Sequence, residues 1–456
     1  MPFTDGSHQG SGPNQSSRHP LRSDPVVAAA GGGSSGGQAP AQNLLYQGEG
    51  RPIAGIAVKN ALLTLATLGV YRFWGKTRLR RYLWSKVSYD GEAFEYSGTG
   101  KELFLGFLIA LAVLVPLFLI SLAAEQFVFP GIFSDDPEAQ QDSFLWFGIY
   151  QAIYVTIIFY LIHFAVYRAR RYRLTRTRWR GIRAGQSGTG RGYAWRAMLY
   201  GLVSVITLFL AHPWSRNRLQ RYMVENTWLG NQAMTYQGKT SDLMAPWLVV
   251  WVVNAMFWAV LVFYFPASFY FAGDGLEVNP AAAVGLGIFL MAIWLVVPVY
   301  FISLMWYKVR EFRYFASVTK FRSLWFESGL TFGRVFWIYV LFVILTMAVF
   351  IVMGIVVAVL FAGSVDWQAL QNLDNLQDDA VVWTIQIAYL VFLLLVMLVL
   401  SVLRIVFLTH PLAHAAINSL TVHGSEDFDV IRQNQDAGPR RGEGFADVLD
   451  VGEVGF

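Results

Sequence analysis

Six stretches of this chain run for at least 21 residues without a single Asp, Glu, Lys or Arg. They are Leu103–Ala123, Phe144–Tyr167, Pro246–Phe271, Ala281–Tyr307, Val335–Gly363 and Ala380–Leu403. A hydrocarbon layer of ~30 Å takes about 20 residues of helix, and only structures that satisfy their own backbone groups survive inside it. Six such stretches in 456 residues leave little room for a soluble fold. The charged fraction agrees: 14%, against roughly 25% in ordinary soluble domains. The expected class is therefore all-α, a polytopic membrane helix bundle.

The loops assign sides. Residues 124–143 hold five acids and no base, whereas residues 168–196 hold ten arginines and no acid. Residues 272–280 and 364–379 are acidic, and residues 308–334 carry six bases against two acids. Lys and Arg are retained on the cytoplasmic side, so three helical hairpins with cytoplasmic ends emerge, and both termini are expected in the cytoplasm.

Two shorter apolar stretches, Ile53–Val70 and Ala197–Ala211, lie beside basic clusters. If Ala197–Ala211 spanned, Arg216, Arg218 and Arg221 would fall outside. Six spans with two shallow or re-entrant helices are therefore favoured over eight spans.

The chain also matches itself at an offset of 140 residues. Residues 62–103 and 202–243 share 12 of 42 positions, among them Thr67/Thr207, Trp74/Trp214, Arg78/Arg218, Leu79/Leu219, Arg81/Arg221, Tyr82/Tyr222, Tyr96/Tyr236 and Gly98/Gly238. Each copy reads as a shallow apolar segment, a basic-aromatic helix, a Tyr-x-Gly turn and a membrane hairpin. A second match, residues 171–180 against 313–322, has an offset of 142. Near the end, His410 and Pro411 match His212 and Pro213, but the arginines and the tyrosine are gone. The resulting organisation is a disordered, Gly/Ser/Pro-rich tail (1–42) with no apolar signal-peptide core, repeat 1 (43–185), repeat 2 (186–322), a divergent repeat 3 (323–424) and an acidic cytoplasmic tail (425–456).

The strings "TLGVYRFWGKTRLRRYLW", "FEYSGTGKELF", "RYRLTRTRWRGIR" and "HPWSRNRLQRY" resemble the YjgN-like family of bacterial inner-membrane proteins, from about residue 46 to the end. The resemblance implies a multi-pass protein of the inner (cytoplasmic) membrane. It implies no reaction, because the family carries no established activity.

On the basic-aromatic helix, Trp74, Arg78, Leu79, Arg81 and Tyr82 share a 160° arc, at 100° per residue. Arg72, Lys76 and Arg80 lie opposite and read as general charge. Guanidinium forks suit phosphate, and Trp and Tyr suit the interface. Trp74, Arg78, Arg81, Tyr82, Trp214, Arg218, Arg221 and Tyr222 are thus candidates for anionic lipid headgroups, set against plain topology signalling and anchoring. Nucleic acid is not an expected partner, since orientation already explains the arginine run.

His410 and His414 have helical ligand spacing but no acidic third ligand, so no metal is expected. "GTGK" at 98–101 lacks the remaining spacing of a phosphate loop. Cysteine is absent, which removes thiolate chemistry. Within the apolar stretches the polar candidates are His163, Asn254 and Gln386. No nucleophile–base or carboxylate-pair constellation stands out, so the expectation is a non-enzymatic protein without cofactor. It would engage the bilayer's anionic lipids or an envelope protein partner, as a homo-oligomer or otherwise. A transporter or channel for a small or amphipathic solute is the alternative.

Overall fold

The computed structural model describes residues 41–129, 137–267, 270–272, 275–277, 280–361, 379–424 and 428–434. The expected disordered tail lies outside the described residues up to residue 40, and the acidic tail is described only over 428–434.

Helix dominates, but the all-α expectation needs correction, because antiparallel strands join every pair of helices at one end. The chain enters through β1 (Gln42–Asn43) and β2 (Leu45–Tyr46), two halves of one extended segment. Then follow α1 (Gly50–Ala66), α2 (Arg72–Ser85), β3 (Val87–Tyr89) and β4 (Glu92–Tyr96). Next come α3 (Gly100–Ala123), α4 (Pro137–Thr175), β5 (Thr177–Trp179) and β6 (Ile182–Gln186). After them are α5 (Gly190–Ile206), α6 (His212–Glu225), β7 (Thr227–Leu229), β8 (Gln232–Ala233) and β9 (Thr235–Tyr236). The helices α7 (Ser241–Ala267) and α8 (Pro280–Val318) flank a small hairpin, β10 (Tyr270–Ala272) with β11 (Gly275–Glu277). The chain closes with β12 (Thr319–Phe321), β13 (Leu324–Ser328), α9 (Phe332–Phe361), α10 (Asp379–Leu403), α11 (His410–Ile417) and β14 (Leu420–His423).

A seven-stranded sheet runs β2-β3-β4-β5-β6-β7-β8, and a five-stranded sheet runs β1-β14-β13-β12-β9. Because β1 continues into β2 and β8 into β9, the two sheets join into one closed circuit of antiparallel strands in chain order. Closure removes the open edges that would otherwise template aggregation. Two-residue turns make the tight hairpins: Tyr89 pairs with Glu92, Trp179 with Ile182, Leu229 with Gln232 and Phe321 with Leu324. Asp90-Gly91 and Arg180-Gly181 both take positive φ, 53° and 75° in the first pair and 49° and 73° in the second. That geometry matches the twist of the flanking strands.

Helical hairpins hang from this ring, and one backbone bond closes each base. Gln47 N–H donates to the Lys86 carbonyl (2.9 Å), Ser97 to Arg176 (2.8 Å), Ser187 to Asn226 (2.8 Å), Gln237 to Val318 (2.9 Å) and Gly329 to Ser419 (2.8 Å). Each helical pair therefore leaves the ring and returns to it. Among the described residues, four helical segments are long and apolar enough to cross a membrane: Gly100–Val128, Ser143–Thr175, Phe332–Val359 and Gln386–Ile417. The expected stretches Pro246–Phe271 and Ala281–Tyr307 fall largely on α7 and α8, many of whose side chains lie outside the described residues.

The two short stretches form α1 and α5, 17 residues each, or about 25 Å of helix. Both reverse into 14-residue partners, α2 and α6. Thr67 builds the first reversal: its hydroxyl donates to Leu63 O (2.7 Å) and accepts from Tyr71 N–H (2.9 Å). Thr207 repeats this with Val203 O (2.8 Å) and Ala211 N–H (3.1 Å). The tips are apolar and exposed, Leu68 at 95% and Ile206 and Leu208 at 72% each. In the second tip the carbonyls of Leu208 and Phe209 accept the indole N–H groups of Trp251 (2.7 Å) and Trp247 (2.9 Å) from α7. Backbone groups at a reversal have no helical partner, and in lipid such groups must find one in protein.

Candidate functional site: the arginine and tyrosine collar

Where the return helices meet the ring, the Tyr-x-Gly signature has a steric meaning. Tyr96 folds its ring across Gly98, where an added Cβ would lie 2.6 Å from the ring. Tyr46 covers Gly48 and Tyr236 covers Gly238 in the same way. Only glycine admits this close approach. The preceding position in each base, Tyr46, Tyr96, Gln186, Tyr236 and Ser328, is buried throughout. Burial pushes the hydroxyls of Tyr46 and Tyr236 well above the usual phenol range, so both stay neutral.

The collar residues divide into two groups. Arg81 Nη2 donates to Gly98 O (2.8 Å), and Arg221 Nη2 donates to Gly238 O (3.2 Å). Each arginine thus fastens its own helix to the entry loop of the next helical pair. The tyrosine beside it fastens its own pair: Tyr82 Oη accepts from Glu49 N–H (3.2 Å), and Tyr222 Oη from Thr189 N–H (3.2 Å). Two further copies escape the 140-residue comparison. Arg171 donates to Gly188 O (3.4 Å), and Tyr172 donates to Glu102 Oε2 (2.8 Å). In α8, Tyr314 donates to Lys239 O (2.6 Å). The signal that finds them is Arg-Tyr recurring at 81–82, 171–172, 221–222 and 313–314. Its alternating spacing is masked by the different lengths of the helices between.

The second group sits one turn further from the ring. Arg78, Arg168, Arg218 and Arg310 are all exposed. Each has an aromatic residue four positions earlier: Trp74, Phe164, Trp214 and Trp306. The guanidinium of Arg310 lies 4.3 Å from the Trp306 ring centroid and that of Arg168 5.5 Å from Phe164, distances suited to cation–π attraction. Trp74 packs on Phe104 (5.9 Å) and Trp214 edge-on against Tyr200 (4.8 Å). In the last pair Phe407 keeps the aromatic, but Pro411 stands where the arginine would be.

Arg80, expected as general charge, is instead buried and reaches Tyr96 Oη (3.4 Å). On the facing helix, Glu102 is a hub. It caps α3 with Thr99 and takes both Arg176 Nη2 (2.6 Å) and Arg176 Nε (3.2 Å). Buried Glu311 receives Arg216 Nε (3.0 Å) and Lys308 Nζ (2.7 Å). Burial alone would raise its pKa, but the two cations outweigh it and hold the carboxyl below its ordinary value.

The intramembrane candidates do not converge. His163 Nδ1 stays on its own helix, 2.9 Å from Phe159 O. Asn254 is half-buried on α7 and Gln386 exposed on α10, and no hydrogen bond joins the three among the described residues. The rings of His410 and His414 lie against Tyr46 at 5.6 and 6.1 Å, while His423 stacks on Trp325 at 4.0 Å.

A sequence profile described as "Bacterial protein of unknown function (DUF898)" matches residues 41–448, from the first described strand to beyond the last. The chain belongs to this family. The chain is similar to Inner membrane protein YjgN of Salmonella typhimurium, 25% identical over 167 residues, 37% of either chain. Inner membrane protein YjgN of Escherichia coli K12 is 35% identical over 66 residues, 14% of this chain and 17% of that one. The chain thus aligns with little more than a third of the length of the Salmonella relative. No solved structure matches. Both relatives are named inner membrane proteins, and this chain has four helical segments long and apolar enough to cross a membrane among the described residues.

Proposed function

We propose that this is a non-enzymatic inner-membrane protein that grips anionic phospholipid through Arg78, Arg168, Arg218 and Arg310. In this reading the strand ring lies in the cytoplasm with both termini, six helices span, and the two short helical pairs are re-entrant. The helical pairs are copies of one unit, each entering the bilayer from the ring and returning to it.

One observation carries the lipid reading. On four return helices an exposed arginine stands one turn ringward of an aromatic residue, while the neighbouring Arg-Tyr pairs spend their donors largely on the fold. Aromatics favour the headgroup level, and arginines beside them can extend to phosphate oxygens. Each such cation adds roughly 1 kcal/mol of attraction to an anionic leaflet.

Lipid retained by detergent-purified protein tests this by native mass spectrometry. Arg78→Gln, Arg168→Gln, Arg218→Gln and Arg310→Gln together should abolish enrichment of phosphatidylglycerol and cardiolipin over phosphatidylethanolamine. Unchanged enrichment in a folded quadruple variant rejects the reading. Arg81→Gln with Arg221→Gln should leave the enrichment intact and lower thermal stability.

A further inference from the structure

Arg81, Arg171, Arg221 and Arg313 each stand five residues before the carbonyl that closes the base of their helical pair. The same step back from Ser419, whose carbonyl closes the last base, reaches His414. The last pair meets the entering segment at Tyr46. At this seam alone, a histidine holds the place that the other return helices give to a permanent cation.

Asn418, one turn further on, grips the entering segment. Its Oδ1 accepts Tyr46 N–H (2.6 Å), which fixes the orientation of the amide, and its Nδ2 donates to Tyr46 O (3.3 Å). The same Nδ2 lies 3.2 Å from His414 Nε2. An amide NH2 only donates, so this contact needs His414 Nε2 as an unprotonated acceptor. Turning the amide over would set its NH2 against Tyr46 N–H and its oxygen against Tyr46 O.

No carboxylate compensates a charged ring here. Tyr46 is 3% exposed and lies edge-on to both His410 and His414. Neither ring nitrogen of His410 has a hydrogen-bond partner among the described residues. The segments packed on this side of α11 bring Glu49, Arg51 and Lys59 with α1, and Tyr82 and Lys86 with α2. Arg404 lies in the turn before α11, and α10 carries no acid nearer than Asp379 at its far end. Glu49 pairs with neither histidine among the described residues. On the other side, α8 and α9 pack through Leu412 and Ala415. There Arg310, Arg313 and Arg334 add cations, and Glu311 is already held by Arg216 and Lys308. Glu327 of β13 faces His423 instead (3.3 Å).

We infer that this seam is a pH-sensitive latch, which grips residues 42–47 while His414 is neutral and loosens when His414 takes a proton. A proton on Nε2 turns the acceptor into a donor aimed at the Asn418 NH2. Relief requires one of the two side chains to leave, and if Asn418 leaves, the Tyr46 backbone loses both bonds. The new charge has no carboxylate beside it and meets His410 one turn away on the same helix face. The gripped form binds fewer protons than the loosened one. The grip is therefore full at the alkaline end of the range in which histidine changes charge, about pH 5 to 8, and is lost as pH falls through it. Arginine stays protonated throughout, so the other junctions gain no such dependence. On the topology proposed above, the latch faces the cytoplasm.

Hydrogen exchange of the full-length protein in detergent, read by mass spectrometry and corrected for the intrinsic pH dependence of exchange, tests the latch. From about pH 7.5 to about pH 5.5, protection of residues 42–47 should fall roughly tenfold or more. The matching entry segment at 95–98 should keep its protection. His414→Gln, neutral and still able to offer an acceptor, should hold residues 42–47 at both pH values. Asn418→Asp should invert the dependence, because a carboxylate accepts from Tyr46 N–H and from a protonated His414 alike. That inversion keeps the test decisive if the glutamine variant misfolds. Unchanged protection in the wild type, a loss in His414→Gln equal to that of the wild type, or an Asn418→Asp protein that still loosens in acid overturns the proposal.

Discussion

Asn418 and Tyr46, 372 residues apart, exchange hydrogen bonds: Tyr46 N–H donates to Asn418 Oδ1 (2.6 Å), and Asn418 Nδ2 donates to Tyr46 O (3.3 Å). This exchange stands beside the pairing of Gln42 with Val422 that closes the strand ring. Asn418→Ala leaves a part-buried amide and carbonyl unpaired, a loss of about 1–3 kcal/mol. The expected outcome is a lower unfolding midpoint in detergent, with helix content unchanged by far-ultraviolet circular dichroism.

Gly98→Ala forces a methyl to within 2.6 Å of the Tyr96 ring and displaces it from its bed. Overpacking of this kind costs about 1–3 kcal/mol. Tyr96→Ala should make the glycine substitution nearly silent, so the double variant is less destabilised than the sum of the singles. Additive losses in thermal unfolding would show that the ring is not what demands glycine.

Leu68 and Leu208 mark the exposed tips of the two short helical pairs, which the proposed topology makes re-entrant, and the native chain has no cysteine to interfere. Leu68→Cys and Leu208→Cys should react with a lipid-soluble maleimide and resist a membrane-impermeant one added from either side. Glu225→Cys, exposed at the base of α6, should label only from the cytoplasmic face. Periplasmic labelling of residue 225 would require α5 to span. Asn217 is the poorer reporter of that region, being buried and bonded to Thr240.

Glu311 predicts an acid-sensitive junction between α6 and α8. Its pKa is lowered in the folded state, so its ion pairs contribute fully above the unfolded value of about 4.3. The contribution is lost as pH falls through the folded value. Glu311→Gln should flatten stability against pH across that acidic window while lowering stability at neutral pH. Arg216→Gln removes one of the two cations and should move the acid transition upward. A wild-type profile that stays flat there would contradict the assignment.

The apolar helices were legible in sequence because bilayer thickness sets a length that no short core helix matches. The match of Trp74 with Trp214 and Arg78 with Arg218 was legible because α2 and α6 have equal length. The return helices α4 and α8, at 39 residues, carry the same Arg-Tyr pair but bury it at the end of a long apolar run. Apolar positions there exchange Leu, Ile, Val and Phe freely, so what recurs is the Arg-Tyr pair and the arginine three positions before it. The ring itself was missed. Asp90-Gly91 is a strong hairpin signal, yet its flanks are three and five residues long. Strands so short show no periodicity of their own, and their outer partners are distant in the chain, Leu45 opposite Ser88 and Trp179 opposite Phe94. Arg80 was misread because a helical wheel records angle and not what lies against it.

The chain-ordered ring also imposes a schedule on biogenesis. In the proposed topology every helical pair enters the bilayer and has its base bonded as it is made, but the first extended segment gains its second neighbour only when β14 emerges. With synthesis at about 5–20 residues per second, the 372 residues from Tyr46 to Asn418 take roughly 20 to 75 seconds. For that interval residues 42–46 present an unpaired strand edge beside the membrane. Among the described strands, the last to leave the ribosome is thus the one that relieves the oldest exposed edge.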